Sequence, residues 1–374
     1  MPLDAGFYST LVFKSTQISI NGGVFQIIHL LIQAYICYFI IFSALLIYNG
    51  FGGFVTNMCE TEKRKQRRAT ILVMGSLNFD LIATVSRFPN PGESLIGREF
   101  YTSSGGKGGN QAVAASRLGA EAFMVGRVGS DTFGAEMLES LHLHGVNTSG
   151  VTVEHECQSG IAHITIDESG ENKIVIVPGA NSHCDEFEVE QVNLRLRSAD
   201  ALLLQLELPL ELSMKVANEA KGLGKTVVFD PAPVQVLPLD TYANIDYLIP
   251  NETEASVLAG FPVENPTTAG DAAVLLRSKG VQTVIIKMGA QGVSFATDGD
   301  EGHLPAFSVE VVDTVAAGDA FNGAFSVAIA EGRSLRGAIT WGMAAGALAV
   351  TKRGAHTSMP SREDVERLIL EQRR

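Results

Sequence analysis

Cysteine is scarce in this chain, with 4 residues among 374. They form no CxxC pair and have no histidines at zinc-binding spacing, which argues against a disulfide framework or a structural metal. Reduced thiols of this kind are typical of a cytosolic protein. The four residues are Cys37, Cys59, Cys157 and Cys184.

An excess of positive charge is also missing. The formal charge of -13 argues against a general nucleic-acid-binding or anionic-membrane surface, so an anionic ligand must be held by a local pocket. The sequence contains no internal repeat and no low-complexity tract. With 46% hydrophobic residues it can bury a large core.

The N-terminal part of the chain lacks charge altogether between Lys14 and Glu60, and residues 25–46 are almost continuously apolar. A helix of this length spans roughly 33 Å, about one bilayer core. The cations of "KRKQRR" (63–68) would hold the rest of the chain on the cytosolic side. Polar interruptions and the absence of a charged n-region weaken this interpretation, and Met58 is an alternative start. We therefore predict either a signal anchor or a leader that the mature protein lacks.

The remaining residues, 69–374, predict one catalytic domain, with residues 1–68 as a separate extension. Short apolar runs alternate with helical patterns, which is typical of a mostly parallel sheet covered on both faces. The predicted fold class is therefore α/β, a three-layer sandwich, and ligands are expected beyond the carboxyl ends of the strands. The runs include "TILVMGS" at 70, "ALLLQLE" at 201, "TVVFD" at 226, "TVIIKMG" at 283 and "FSVEVVD" at 307.

Residues 80–104 and 160–179 differ from the other segments. Both alternate apolar and polar residues around turn signals, and neither has an adjacent helical pattern. This favours a small antiparallel β-sheet, which could cover the site as a lid.

The stretch "DTVAAGDAFNGAF" (313–325) places a small-residue turn directly before helical spacing that starts around Asp319. The amides of Ala316, Ala317 and Gly318 would then lie at a helix N-terminus, which favours an anion. Asp319 could simply be an acid of the first turn. A carboxylate beside an anion pocket is useful, however, when one group loses a proton and another has its charge stabilised, as in phosphoryl transfer.

"SSGGKGGNQAVAASRLGA" (103–120) is a second glycine-rich turn, which enters a helix from about Asn110. It lacks the earlier glycine and the hydroxyl of a Walker A motif. It could be a flexible loop. Alternatively, Gly105, Gly106 and Lys107 offer close backbone approach and one cation to a polyhydroxyl ligand.

Polar side chains follow two strands. Ser76, Asn78 and Asp80 come after or within "VMGSLNFD", and Asn78 and Asp80 share one face because alternate strand residues do. They could hold adjacent sugar hydroxyls or form an Asx turn. Glu207 ends "LLLQLE" and could accept from the same hydroxyls or be a solvated acid.

"YLIPNETEA" places Asn251 at a helix start with Glu254 three residues later. The spacing fits a capping-box variant. The two side chains could also order water around a nucleotide-bound Mg²⁺, since that ion keeps several waters.

Seven stretches in this order, over about residues 69–374, make the chain resemble the ribokinase (PfkB) family of carbohydrate kinases. No single stretch is decisive, but the ordered set is highly specific. The stretches are "GSLNFD", "PNPGESLIG", "GGKGGNQAVAASRLGA", "QLELP", "PNETEA", "KMGAQG" and "DTVAAGDAFNGAF".

The resemblance implies ATP-dependent phosphorylation of D-ribose at the 5-hydroxyl. Asp319 matches the general base, and the amides of 316–318 would stabilise the phosphoryl group in transfer. Ribose would be held by Ser76, Asn78, Asp80, Gly105, Gly106, Lys107, Asn110, Glu207 and Asp319.

For the nucleotide, the resemblance implies contacts along "KMGAQG" and a water-mediated Mg²⁺ at Asn251 and Glu254. The nucleotide set is Asn251, Lys287, Gly289, Gly292, Gly318, Asp319 and Met343. Some members of the family that this chain resembles have threonine at the position of Lys287, which leaves its exact role open.

The resemblance also implies an activating K⁺ beside the anion pocket and a homodimer formed through the lid. Side chains of Asp313 and Ser358 and carbonyls of Val315, Ala349, Lys352 and Gly354 would hold the ion. Without the resemblance, the sequence of residues 350–360 predicts only a C-terminal connecting loop.

Other functions stay open at this point. The acceptor could be fructose, a deoxy sugar or an adenosine-like nucleoside, although the polar Asn78, Asp80 and Asn110 favour hydroxyl partners. A non-catalytic sugar- or nucleotide-binding regulator would also use this fold. We expect no nucleic-acid partner, a membrane partner only if residues 25–46 form an anchor, and a cytoplasmic location.

Overall fold

The structure is a computed structural model that describes residues 68–372. The predicted apolar segment 25–46 lies outside the described residues. Among the residues that are described, no helix is long and apolar enough to cross a bilayer.

A nine-stranded sheet forms the middle layer, with strand order β13-β12-β11-β10-β9-β8-β1-β4-β5. All neighbours from β5 to β11 pair in parallel, whereas β12 and β13 pair antiparallel at one edge. The strands are β1 (Thr70–Met74), β4 (Glu121–Gly129), β5 (Asn147–Glu154), β8 (Ala201–Leu204), β9 (Thr226–Phe229), β10 (Tyr247–Leu248), β11 (Thr283–Lys287), β12 (Val293–Thr297) and β13 (Asp300–Leu304).

Helices cover both faces of this sheet because its central strands are apolar on both sides. In β1, Ile71 and Val73 enter one core cluster, whereas Leu72 and Met74 enter the other. The first face is covered by α1 (Lys107–Arg117), α2 (Thr132–Leu143), α7 (Ala317–Ala330), α8 (Leu335–Ala349) and α9 (Arg362–Glu371). The second face is covered by α3 (Glu186–Leu196), α4 (Leu210–Gly222), α5 (Glu252–Ala259) and α6 (Pro266–Ser278). The predicted three-layer α/β fold is confirmed.

The lid sheet consists of β2 (Asn78–Thr84), β3 (Glu99–Gly105), β6 (Gly160–Ile166) and β7 (Asn172–Val177), in the order β3-β2-β6-β7. The two predicted segments each supply a hairpin, and the hairpin pairs are antiparallel. The central pair, β2 with β6, is parallel. The lid sheet thus consists of two antiparallel hairpins joined by one parallel pair, because strands from two distant segments can meet in either direction.

The glycine-rich turn differs from its prediction. Helix α1 begins at Lys107 rather than near Asn110, so Gly108 and Gly109 are helical. A Cβ at Gly108 would lie 2.6 Å from the Gly75 carbonyl carbon, which shows that close packing requires glycine here. Packing thus overrides the poor helix propensity of glycine.

Two expectations around residue 313 also need correction. Residues 307–313 form no strand in the described structure, because Val312 N and Asp313 N both donate to the single carbonyl of Val350 and no neighbouring strand pairs with them. Helix α7 begins at Ala317, two residues before Asp319.

Candidate active site

The polar residues that follow β1, β8 and β9 meet the N-terminal ends of α1 and α7. This convergence follows from the parallel sheet, whose carboxyl ends lie along one edge. Hydrogen bonds join residues more than 200 positions apart, such as Asn110 and Asp319. The following contacts define the site.

Asp319 lies in the first turn of α7 and is 5% exposed. Its Oδ2 accepts from Asn110 Nδ2 over 2.9 Å, and its Oδ1 accepts from Gln111 Nε2 over 3.0 Å. Burial raises the pKa of the Asp319 carboxyl, whereas Lys107 and the two amides oppose this rise. The carboxylate thus points into a polar site and not into the apolar core, and its proton affinity is increased.

The turn before α7 carries the three backbone amides that the sequence analysis predicts to form an anion pocket. Ala316, the N-cap, adopts a left-handed conformation with φ 59°, which an L-residue rarely adopts without support from the fold. Ala317 N donates to Thr314 O over 3.4 Å, longer than a usual N–H···O bond. In the described part of the chain, no acceptor satisfies the amides of Ala316 and Gly318.

Asp230, directly after β9, is a buried carboxylate between two lysines. Its Oδ1 lies 3.2 Å from Lys287 Nζ, and its Oδ2 lies 3.7 Å from Lys107 Nζ. Burial opposes the charge of Asp230, but Lys287 and Lys107 lower the pKa of its carboxyl. A Cβ built on Gly318 would lie 3.3 Å from Lys287 Nζ, so this cation stands beside the amides of the predicted anion pocket.

Glu207 joins several predicted sugar ligands. Its Oε2 accepts from Ser76 Oγ, from Asn78 Nδ2 over 3.2 Å and from Lys107 N over 3.3 Å. Only glycine at position 106 lets the chain pass this close to Asn78, since Gly106 has φ 84° and a Cβ there would lie 2.5 Å from Asn78 N. Glu207 thus stands in the half-buried bend after β8, with its carboxylate bonded to other predicted sugar ligands.

Asp80 lies on β2 of the lid sheet, beside Gly105. Burial first, and then the charges of Glu207 and Asp319, raise the pKa of Asp80 to about 7. The carboxylates of Asp80, Glu207 and Asp319 thus lie close enough for their charges to interact. Such a cluster can accept hydrogen bonds from several hydroxyl groups of one ligand.

Asn181 is a buried residue of the site that the sequence analysis missed. Its side chain bonds both backbone groups of Leu77, and its Nδ2 donates to Asn78 Oδ1 over 2.8 Å. The Asn78 carbonyl is occupied in this way, so its amide nitrogen faces Glu207. Asn181 therefore sets the orientation of Asn78.

Asn251 and Glu254 form the capping box of α5, with Asn251 Oδ1 accepting from Glu254 N and Glu254 Oε2 accepting from Asn251 N, each over 2.8 Å. Glu254 is 8% exposed, and burial together with Asp230 raises its pKa, whereas Lys287 lowers it. The described residues contain no cluster of three His, Cys, Asp or Glu side chains that could hold a metal ion. A Mg²⁺ that brings its own water and phosphate ligands fits this pair better than one held by protein alone.

The remaining nucleotide candidates lie on different elements. Gly289 and Gly292 bound the short 3₁₀ turn after β11, with φ 50° and 93°. Met343 on α8 is 9% exposed and belongs to the core cluster under that helix.

Asp313 organises the loop to which the resemblance assigns K⁺. Its Oδ1 accepts from Val315 N and its Oδ2 accepts from Gly354 N, each over 3.0 Å. Lys352 N donates to Ala349 O over 3.2 Å, and Ser358 Oγ donates to Ala355 O over 2.8 Å. The Asp313 carboxylate thus accepts from backbone amides on both sides of this loop, and the K⁺ assignment stays a prediction.

Besides Asn181, the sequence analysis missed Gln111, Gln205 and Asp230. Asp230 and Gln205 follow strands β9 and β8, so their position at the carboxyl edge was the available signal. Gln111 follows Asn110 directly, but nothing in the pattern shows that its side chain faces the same site.

The family model for pfkB family carbohydrate kinases matches residues 68–362. The chain therefore belongs to this family of phosphotransferases. The fold, the glycine-rich α1 and the acid at the start of α7 agree with that assignment.

Within the family, several relatives are similar along nearly their whole length. The ribokinase of Haemophilus influenzae is 41% identical over 297 residues, which cover 79% of this chain and 97% of the relative. The deoxyribokinase of Salmonella typhimurium is 35% identical and covers 78% and 96%. The structure of Arabidopsis thaliana ribokinase complexed with ribose and ATP has a TM-score of 0.74 and 32% identity, and covers 81% of this chain and 99% of that one.

Proposed function

We propose that this chain transfers the γ-phosphoryl group of ATP to the 5-hydroxyl of D-ribose, forming D-ribose 5-phosphate and ADP. The observation that carries this proposal is the position of Asp319, whose carboxylate lies in the first turn of α7 and accepts hydrogen bonds from Asn110 and Gln111 of α1. The names and ligands of the similar proteins support ribose and ATP as substrates.

In the proposed reaction, Asp319 accepts the proton of the 5-hydroxyl as that oxygen forms a bond to the γ-phosphorus. The bond between the γ-phosphorus and the bridging oxygen breaks, and ADP leaves with the electron pair. A raised pKa brings the proton affinity of Asp319 closer to that of the hydroxyl it must deprotonate. Gly318 N and the neighbouring amides, with Lys287 beside them, oppose the charge on the phosphoryl oxygens.

Ribose recognition would depend on Asn78, Asp80 and Glu207. Asn78 presents its amide nitrogen because Asn181 occupies its carbonyl, whereas the two acids present oxygens. A vicinal diol offers both donors and acceptors to this set. An analogue without one hydroxyl would leave a buried partner unsatisfied, which favours ribose over deoxyribose.

ATP would reach the site from the side of Lys287, Gly289 and Gly292, with Met343 toward the base. When bound, Mg²⁺ would neutralise phosphate charge through water held by Asn251 and Glu254. The K⁺ loop around Asp313 would stabilise the turn that carries the amides of α7. Because Asp313 bonds Val315 N, one residue before Ala316, order in this loop affects the anion pocket directly.

The lid sheet is proposed to form a homodimer. All residues of its edge strand β7 are exposed, including Ile174, Val175, Ile176 and Val177 at 41–62%. An unpaired apolar edge of this kind needs a partner. We place the kinase domain in the cytoplasm, where ATP is available and thiols stay reduced.

A coupled ADP-release assay tests the activity with ribose, 2-deoxyribose, fructose and adenosine as acceptors. We expect the highest kcat/KM with ribose, and ³¹P NMR should place the new phosphate on carbon 5. A preference for another acceptor would support a kinase of this family but contradict ribose as its substrate. Binding of ribose and ATP without ADP release would instead favour a regulator.

A further inference from the structure

Gln111 lies between the two buried carboxylates of the site. Its Nε2 donates to Asp319 Oδ1 over 3.0 Å and to Asp230 Oδ2 over 3.1 Å, and the residue is 1% exposed. One amide nitrogen carries two hydrogens, so both carboxylates are satisfied only when the Gln111 carbonyl points away from them. The orientation of this amide therefore decides whether Asp319 Oδ1 faces a donor or an acceptor.

Gln205 fixes that orientation. Its Nε2 donates to Gln111 Oε1 over 2.8 Å, and the residue is also 1% exposed. A rotated Gln205 amide would place two carbonyl oxygens against each other. A Cβ at position 75 would lie 2.0 Å from Gln205 Oε1, so Gly75 leaves the space that this amide occupies.

The bond from Gln111 differs from the bond that Asn110 makes to the other oxygen of Asp319. Asn110 is assigned to the sugar, so its amide is shared with the substrate when ribose binds. The hydrogen bonds of the Gln111 side chain go to Asp319, Asp230 and Gln205, and apart from Asp319 none of these is a residue assigned to the sugar. Gln111 is thus the donor that stays on Asp319 during the reaction.

We propose that Gln111, held by Gln205, is a positioning residue that keeps the Asp319 carboxylate aligned with the sugar hydroxyl. The inference rests on the proposed kinase activity. Neither glutamine touches the reacting atoms, so each acts through Asp319. Asp230 accepts the second hydrogen bond of the Gln111 amide. Asp230 also pairs with Lys107, which is assigned to the sugar, and with Lys287, which is assigned to the nucleotide.

The variants Gln111→Met and Gln205→Met, which keep side-chain length, test this role in the full chain. A hydrogen bond to a charged group corresponds to roughly 10- to 100-fold in rate. We expect Gln111→Met to lower kcat by about this factor with both KM values within about threefold, and Gln205→Met to lower it less. The matched control is Gln282→Met at an exposed position before β11.

The double variant separates a relay from two independent effects. If Gln205 acts only through Gln111, the double variant has the kcat of Gln111→Met alone. Multiplicative losses, or a kcat of Gln111→Met within about twofold of the unmodified chain, would overturn the proposal. If Gln111→Met does not fold, Gln205→Met decides alone, since the proposal then requires a kcat loss without a KM change.

The titration of Asp319 gives a readout that does not depend on turnover. Loss of the Gln111 donor removes a hydrogen bond that favours the ionised Asp319 carboxylate, so the pKa of Asp319 rises. The charges of Lys107, Asp230 and Asp80 also affect this pKa, and they are the same in the variant. ¹³C-carboxyl NMR of labelled aspartate, assigned with Asp319→Asn, should show this shift in Gln111→Met and a smaller one in Gln205→Met. An unmoved resonance contradicts the inference, whereas an unmodified chain that phosphorylates no sugar contradicts the proposed function itself.

Discussion

Asn110 Nδ2 donates to Asp319 Oδ2 over 2.9 Å, which joins the first turns of α1 and α7 across 209 positions of sequence. A residue assigned to the sugar thus contacts the residue assigned as the base. Under these assignments, ribose bound at Asn110 would lie next to Asp319, so substrate binding and proton transfer would share one contact.

Asp319→Asn should lower kcat by about 10³-fold, because the amide cannot accept the proton of the hydroxyl. The side chain keeps its size, so ribose and ATP should bind with nearly unchanged affinity. Kinetics of ADP release and calorimetric titration of each substrate measure the two effects. A kcat within about tenfold of the unmodified chain would exclude Asp319 as the base.

Asp80→Asn should stabilise the protein and weaken ribose binding. The pKa of Asp80 in the folded chain, about 7, lies above the ordinary 3.8, so the folded state loses stability as the pH rises between these values. At pH 8 we expect the variant to gain up to about 4 kcal/mol in free energy of unfolding, and near pH 4 almost no gain. Urea titrations at both pH values test this, and equal effects at both would contradict the charge-based explanation.

Replacing K⁺ by Na⁺ should lower the activity of the unmodified chain severalfold. Asp313→Ala should remove this difference, because Asp313 holds Val315 N and Gly354 N in the cation loop. The control is Asp271→Ala, an exposed acid on α6. Activity assays in matched chloride buffers decide the outcome, and a difference that persists in Asp313→Ala would place the ion elsewhere.

His356→Gln should protect the protein against mild acid. Burial first, and then His144, lower the pKa of His356 from 6.5 to about 3, so the unfolded chain binds a proton that the folded chain excludes. Stability therefore falls as the pH drops below 6.5, by about 2 kcal/mol at pH 5. Urea titrations between pH 5 and pH 7 should show a smaller loss for His356→Gln, but an unchanged loss for the exposed His155→Gln. Equal slopes in all three proteins would contradict this assignment.

The double variant Ile174→Asp, Val175→Asp should shift the protein toward the monomer, because it places charge on both faces of strand β7. Light scattering after size exclusion measures the mass. Leu194→Asp, which changes another exposed apolar side chain on α3, is the control and should keep the dimer. A monomeric unmodified chain, or a dimer that survives the double variant, would exclude the lid as the interface.

Much of the site follows from local pattern. The sequence shows a glycine-rich turn before one helix and an acid after small residues at the start of another. Both patterns predict a ligand site, since backbone amides at a helix start can bind anions in any fold. The alternation of 80–104 and 160–179 likewise predicted the hairpins of the lid sheet. Local pattern failed at Gly108 and Gly109, where propensity argued against the helix that packing on Gly75 stabilises.

The sequence by itself determined the fold class, the family and the acid at the start of α7, because period, turn residues and motif order are properties of neighbouring positions. Only the tertiary structure decided that Gln111, Gln205 and Asp230 surround Asp319, and that Asn181 orients Asn78. These partners come from separate strands and helices. Which side chains meet at one edge of a sheet depends on strand order and on packing, and neither is encoded in any single stretch of the chain.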